Sequence, residues 1–495
     1  MRNSGILMHL TSLPGPCGIG TMGRHAFGFL DFLERAGQSA WQILPLTPTG
    51  YGDSPYQSCS AYAGNPYLID FETLEKEGLL NPSDYTGITW CDKETKVDFG
   101  RQYNNKLTVL RKAYANFPGG KDFDAFLAEN HAWLADYALF MALKAENKGI
   151  AWYEWEDGLK FRRPGALEQA RKELASEIRF HCFIQYIFHR QWGALRDHAH
   201  KRGIRIIGDV PIYVPLDSVE VWCDPRLFQL DEDLVPTAVA GCPPDAFSET
   251  GQLWGNPLYR WDVMKEEGFA WWIDRLGASG ERYDVIRLDH FRGFESYWSV
   301  PYGDKTAKNG KWMEGPGMDF INALKKNLPE VSFIAEDLGV LTEKVVKLRN
   351  DSGYPGMKVL GFAFDSRDPS DYLTHCYPHN TVCYTGTHDN MTTKQWFENA
   401  SADSVDYATE YMSLTERDGQ VIGTIRAGMR SVSDLFVAPM QDWLELGRES
   451  RMNFPGTMSD ANWTWRAEEG FDSPELAANI FAMTKMYGRL ASSNQ

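Results

Sequence analysis

Four acidic residues stand where an apolar run gives way to a polar loop. They are Asp209 in Gly208-Asp209-Val210-Pro211, Asp289 in Arg287-Leu288-Asp289-His290, Glu336 in Ala335-Glu336-Asp337-Leu338-Gly339 and Asp389 in Thr387-His388-Asp389-Asn390. On a strand, side chains two residues apart share a face, so Arg287 and Asp289 point the same way. A cation within ~4–6 Å lowers a carboxyl pKa and keeps the group ionised, as a nucleophile requires. A purely structural ion pair would use the same spacing. Glu336 follows the apolar Phe333-Ile334-Ala335 and so emerges from a buried strand, where partial desolvation would let it hold a proton at neutral pH. Carboxylates in these two states suit glycoside chemistry, in which a retaining mechanism sets nucleophile and proton donor ~5–5.5 Å apart. The chain also carries 17 Trp, 22 Tyr and 27 Phe, whose flat rings suit sugar faces. Most must be core; Trp254 and Tyr51, lying among Gly and Pro, are the candidates for ligand contact. His with several Asp could suggest a divalent metal, but no His-x-His or His-x-x-x-His accompanies these carboxylates. His198-x-His200 closes a charged helix and reads as solvated. We expect neither metal nor cofactor.

The elements that must position these residues are short apolar runs ending in Gly, Pro or polar clusters, as buried parallel strands do. They fall at 5–10, 40–46, 204–209, 284–289, 332–336, 358–364, 381–385 and 433–439. Amphipathic stretches such as 27–37 and 342–350 separate most of them. Strand and helix in alternation, repeated eight times, predict an α/β fold closed as a (β/α)8 TIM barrel. A doubly wound open sheet is the alternative, but the Gly-rich turn it needs after its first strand is absent. The four acids then end strands three, four, five and seven, on the face where barrel enzymes keep their sites.

The whole chain, 1–495, reads as one catalytic barrel domain with two large insertions. Residues 51–203, between strands 2 and 3, are expected to be mostly helical. Within them, 165–202 puts Leu167, Leu174, Ile178, Cys182 and Gln185 near one face of a long helix. Residues 215–281, between strands 3 and 4, carry the loop-forming Gly-Cys-Pro-Pro-Asp and Trp-Gly-Asn-Pro. Both insertions could wall a cleft; for 92–202, helical decoration away from the site is an equal alternative.

The 495 residues hold 50 Lys+Arg against 67 Asp+Glu, a net charge of 50 − 67 = −17. That balance argues against nucleic acid or an anionic membrane as partner, and says nothing against a neutral sugar. Eight cysteines without a C-x-x-C pair read as reduced thiols of a cytoplasmic protein. The first apolar run is too short for a signal-peptide core, and no run approaches the ~18 apolar residues of a membrane span.

Taken together the motifs resemble the 4-α-glucanotransferases, also called amylomaltases or disproportionating enzymes, in family 77 of the glycoside hydrolases. The resemblance spans the chain. It includes Ser4-Gly5-Ile6-Leu7, Thr11-Ser12-Leu13-Pro14-Gly15-Pro16, Trp41-Gln42-Ile43-Leu44-Pro45-Leu46, Gly50-Tyr51-Gly52-Asp53-Ser54-Pro55-Tyr56-Gln57-Ser58, Trp254-Gly255-Asn256-Pro257, Asn453-x-Pro455-Gly456-Thr457 and Asn462-Trp463-x-Trp465-Arg466. The acidic motifs above fall in the same order. Carried over, it implies transfer of an α-1,4-glucan segment to the 4-hydroxyl of a glucan or glucose through a covalent glucosyl-enzyme. Asp289 would be nucleophile and Glu336 general acid/base. Asp389 would bind the 2- and 3-hydroxyls of the transferred sugar, with Arg287 orienting Asp289 and His290 and His388 bonding that sugar. Asp209 and Tyr56 would line the donor side, Trp254 and the loop with Asp245 the acceptor side, and Asn453 would bind substrate. Tyr51 would belong to a secondary glucan contact.

The resemblance also implies maltooligosaccharides, amylose, glycogen or starch as partners, and no C-terminal β domain of the α-amylase kind. Leu10, Cys17, Cys59 and Cys242 depart from the family pattern beside the motifs, which touches loop rigidity and chain-length preference. Two other readings stand beside the transferase: a net α-glucan hydrolase with the same carboxylates, and a glucan-binding protein without turnover that keeps the fold and aromatics but loses an acid, against which the presence of Asp289, Glu336 and Asp389 weighs.

Overall fold

A computed structural model of the chain describes residues 2–50, 52–244, 248–339, 341–364 and 370–490. In chain order the strands are β1 (Asn3–Leu7), β2 (Ala40–Gln42), β3 (Arg205–Val210), β4 (Ala238–Cys242), β5 (Gln252–Pro257), β6 (Val285–Leu288), β7 (Ser296–Pro301), β8 (Lys311–Glu314), β9 (Ser332–Ala335), β10 (Gly356–Val359), β11 (Thr381–Tyr384) and β12 (Leu435–Pro439). Eight of them close a barrel in the order β1-β12-β11-β10-β9-β6-β3-β2, every neighbouring pair parallel. The fold is the (β/α)8 barrel, and each of the eight apolar runs overlaps one barrel strand, although β10 starts two residues before the run 358–364, which continues as a 3-10 helix at Leu360–Phe362.

Apolar character outlasts hydrogen bonding at several strand ends. The run 40–46 stays buried throughout, but the strand stops at Gln42, and beyond it the Leu44 N–H goes to His9 Nδ1 at 3.3 Å rather than to a neighbouring strand. The run 5–10 likewise turns into a 3-10 helix at Leu10–Ser12. Buried length and ladder length are different quantities, and only burial is written in hydropathy.

The barrel helices follow from amphipathic period and caps. Arg24–Arg35 buries Ala26, Phe29, Leu30, Phe32 and Leu33 on one stripe. Glu343–Ser352 starts where the Thr342 hydroxyl accepts the Val345 N–H, and ends where Gly353 takes a left-handed φ of 72°.

Between β2 and β3 the chain builds helices, including Phe99–Ala115, His131–Glu146, Pro164–Glu173 and Ala175–Lys201. The single helix expected over 165–202 is thus two, meeting at Leu174, whose ψ of 15° interrupts the ladder. Buried Gln185 explains its odd place on an apolar face. It accepts the Gly64 N–H at 2.7 Å and donates to the Gly64 carbonyl at 2.9 Å. Gln191 makes the same paired contact with the Asp70 backbone. Two buried amides therefore fasten the loop after β2 to this helix.

The 215–281 segment is more regular than its loop-forming motifs suggest. It supplies β4 and β5 to a four-stranded antiparallel sheet of order β5-β4-β7-β8, completed by residues after β6. No helix among the described residues is long and apolar enough to cross a membrane.

Candidate active site

Strand register brings the first pair of groups together. Asp209 on β3 lies opposite Arg287 on β6, and Leu288 opposite Ala335 on β9. One residue beyond that second pair, Asp289 and Glu336 leave adjacent strands at the same level, where neighbouring strands lie ~4.8 Å apart. Arg287 Nη1 donates to Asp209 Oδ1 at 2.9 Å, to Asp209 Oδ2 at 2.7 Å and to Asp289 Oδ1 at 3.0 Å. Arg287 Nε points at Met357 Sδ, 3.4 Å away, and the Tyr56 hydroxyl donates to Asp209 Oδ2 at 2.8 Å. Asp209 departs from its expected place. Its side chain is fully enclosed, both oxygens taken, beneath the cleft rather than along its donor side. The Asp289 side chain keeps 27% of its surface open.

Glu336 is gripped by main chain. His290 N–H donates to Oε2 at 2.7 Å and Leu338 N–H to Oε1 at 2.9 Å. His290 presents its N–H from a left-handed φ of 50°, an uncommon conformation for a residue with a side chain and one that collects at functional sites. Burial pushes Glu336 above the usual carboxylate range, against the Arg287 charge and these two N–H groups. Burial also lifts Asp289, to about 7, with Arg287 opposing and Asp209, Glu336 and Asp389 adding to the rise. Two neighbouring acids that resist sharing two negative charges titrate as a pair. The guanidinium bonds Asp289 directly, whereas Glu336 is bonded by main-chain N–H groups.

Asp389 has its own cradle in the loop after β11. Asn453 Nδ2 donates to Oδ1 at 2.7 Å and His388 Nε2 lies 3.2 Å from Oδ2. Burial would raise Asp389, but His388, Asn453 and Arg287 hold it well below the usual range. Burial disfavours charge on His388, yet the Asp389 carboxylate beside it raises its pKa. Tyr56 stacks on His388 with ring centroids 5.1 Å apart. The Trp254 ring meets His290 edge-on at 4.8 Å, and burial, then Arg292, lowers His290 to about 3, leaving it neutral.

Tyr56, Trp254, Arg287, Asp289, His290, Glu336, His388, Asp389 and Asn453 all open on one cleft of about 3450 Å³. Tyr51 and Asp245 lie outside the described residues. The motifs gave no role to several groups that shape the site. Arg451 donates from Nη2 to the Asp389 carbonyl at 2.8 Å and from Nε to the Asn453 carbonyl at 2.7 Å. Trp463 closes the Tyr56–His388 stack. Buried Asp442 accepts from Thr385 Oγ1 at 2.6 Å, Thr393 N at 2.8 Å and Thr393 Oγ1 at 2.8 Å, tying both ends of the Asp389 loop. Trp463 stood inside a recognised motif. Nothing local marked Arg451 or Asp442. His198 and His200, read as solvated, lie near the surface, where they also meet Asp31 at 2.9 Å and Asp284 at 2.8 Å.

A (β/α)8 barrel that gathers carboxylates at the ends of its strands has the layout of the barrel enzymes, whose sites lie on that face. Sequence comparison narrows the class. The profile of the 4-alpha-glucanotransferase family matches residues 8–471, and the chain belongs to that family, whose members are transferases acting on glycosyl groups. It is 49% identical over 486 residues to the 4-alpha-glucanotransferase of Clostridium butyricum, covering 97% of this chain and 100% of that one. With the 4-alpha-glucanotransferase of Thermus thermophilus it shares 48% over 502 residues, covering 99% of each. A solved amylomaltase from Streptococcus agalactiae, in complex with acarbose, superposes with a TM-score of 0.96 at 42% identity, over 99% of this chain and 100% of that one.

Proposed function

We propose that the cleft transfers an α-1,4-glucan segment from a donor maltodextrin to the 4-hydroxyl of an acceptor glucan or glucose, by double displacement at Asp289. The observation that carries this is the division of labour between two level carboxylates, one bonded to Arg287 and one to backbone N–H groups. In the first step Asp289 attacks C1 of the donor sugar. The bond from C1 to O4 breaks, and the Glu336 proton goes to that leaving oxygen. In the second step the acceptor 4-hydroxyl attacks C1, its proton returns to Glu336, and Asp289 is released. Asp389, ionised and fixed by Asn453 and His388, takes the hydroxyls of the transferred sugar. His290 and Trp254 form the other wall.

A cleft of about 3450 Å³ exceeds the ~300–1,000 Å³ of a small-molecule pocket and suits a chain of sugars. The acarbose held by the S. agalactiae amylomaltase agrees with a sugar-binding cleft. We take 1–495 as one catalytic unit, with 51–203 a mostly helical insertion between β2 and β3 and 215–281 shaping the acceptor side of the cleft. A reducing, cytoplasmic setting agrees with eight cysteines all in the thiol form.

Incubation with maltotriose tests the reading. Free glucose plus a ladder of longer maltodextrins, with total reducing ends constant, is the expected outcome. Shorter sugars alone, with reducing ends rising, would mean hydrolysis and overturn it.

A further inference from the structure

Glu336 has a second carboxylate as its chain neighbour, and the two have opposite surroundings. Glu336 opens on the cleft, whereas Asp337 is buried at 2% exposure. Asp337 Oδ1 accepts the Met357 N–H at 2.7 Å and Oδ2 accepts from Arg349 Nη1 at 2.6 Å. Arg349 comes from the helix Glu343–Ser352 and is itself largely covered, at 13% side-chain exposure. Gly356 makes the space: a Cβ there would stand 2.7 Å from Asp337 Oδ2. The neighbouring ladder is unusually short. β9 and β10 share one registered pair, Ala335 with Gly356, and past it the Met357 N–H is met by the Asp337 side chain.

We propose that Asp337, clamped by Arg349, is the positioning residue of the catalytic acid, fastening the end of β9 to β10 where the ladder stops and so fixing the direction in which Glu336 leaves the strand. This rests on the reading of Glu336 as proton donor. The clamp also places a negative charge behind Glu336, which favours the protonated acid. The other groups facing Glu336 are the Arg287 cation from β6, Asp289, the N–H groups of His290 and Leu338, and the Tyr372 phenol. Arg349 and Lys358 are the cations that face Asp337.

The test compares Asp337→Asn and Arg349→Lys with the parent enzyme, on maltotriose and on α-glucosyl fluoride, whose leaving group needs no proton. Asp337→Asn keeps an oxygen for the Met357 N–H and loses the charge. Its kcat on maltotriose should fall about tenfold or more with KM within about twofold, and the alkaline limb of its pH profile should move to lower pH. Turnover of the fluoride should stay within about threefold of the parent, which also reports an intact fold. Arg349→Lys, which keeps the charge, should recover most of the maltotriose rate. Unchanged kcat and pH limb in Asp337→Asn would overturn the proposal, as would equal losses on both substrates. Full maltotriose activity in Glu336→Gln would instead overturn the underlying assignment.

Discussion

Arg287 Nη1 reaches three carboxylate oxygens, and the geometry decides what each acid can do. Two of those bonds go to enclosed Asp209, so the guanidinium is already fixed when it meets Asp289. Arg287→Met would leave Asp209 charged and buried without its cation, and Asp289 without its hydrogen bond. Initial rates on maltotriose should drop at least ~100-fold, and thermal unfolding should come earlier, since breaking a buried pair costs ~3–5 kcal/mol. The pH profile follows from the raised pKa values of Asp289 and Glu336. Turnover needs one proton on the pair: below the lower macroscopic value Asp289 is neutral and cannot attack, and above the higher one Glu336 has no proton to give. The kcat/KM profile should therefore be a bell, both limbs lying above the ordinary carboxylate range. Stability carries the same sign. A folded pKa raised to about 7 for Asp289 favours folding below the ordinary carboxylate value and loses that contribution as pH rises through 7. Asp289→Asn should then unfold at a higher temperature than the parent at pH ~8, with the gain vanishing near pH ~3.

At the scale of elements, the loops that carry the acids are held by buried polar staples rather than by ladders. Asp442 joins Thr385 to Thr393 beneath the loop bearing His388 and Asp389. Asp442→Ala should lower kcat by about tenfold or more, while Asp442→Asn, able to keep its hydroxyl partners, should do so far less. Gln185→Leu would orphan the Gly64 N–H and carbonyl at ~1–3 kcal/mol each, seen as a lower Tm with the site chemistry unchanged. These staples mark the limit of sequence reading. Seven of the eight barrel strands were legible as runs, because burial on both faces leaves continuous apolar sequence; β10, Gly356–Val359, was placed two residues late because Lys358 interrupts its apolar pattern. The strand ends were not legible, because a side-chain partner for the Leu44 N–H and the 3-10 turn at Leu10–Ser12 end the ladder inside apolar sequence. The break at Leu174 was hidden because one apolar stripe runs through both helices. Asp442 and Gln185 were silent since a lone Asp or Gln does not say which distant backbone it will meet.

For the whole molecule, the barrel sets carboxylates from four strands around one axis and the excursions deepen the mouth above them. The motifs located Asp289, Glu336, Asp389, Arg287, His290, His388, Tyr56, Trp254 and Asn453, and all meet in one cleft. Asp209 was placed by motif in the cleft and by packing beneath it, a distinction that depends on Tyr56 and Arg287 arriving from elsewhere in the chain. The small antiparallel sheet was missed because it assembles from segments on both sides of β6. A net charge of −17 should matter little to a neutral glucan, so KM for maltotriose should vary less than about twofold between low and ~0.5 M salt. The assignment of the two acids is tested most directly by trapping. Glu336→Gln would be mixed with α-glucosyl fluoride, quenched and digested, and the modified peptide sequenced by mass spectrometry. The account predicts a glycosyl adduct on Asp289; an adduct on Asp389 or Asp209, or none with the fluoride consumed, would contradict it.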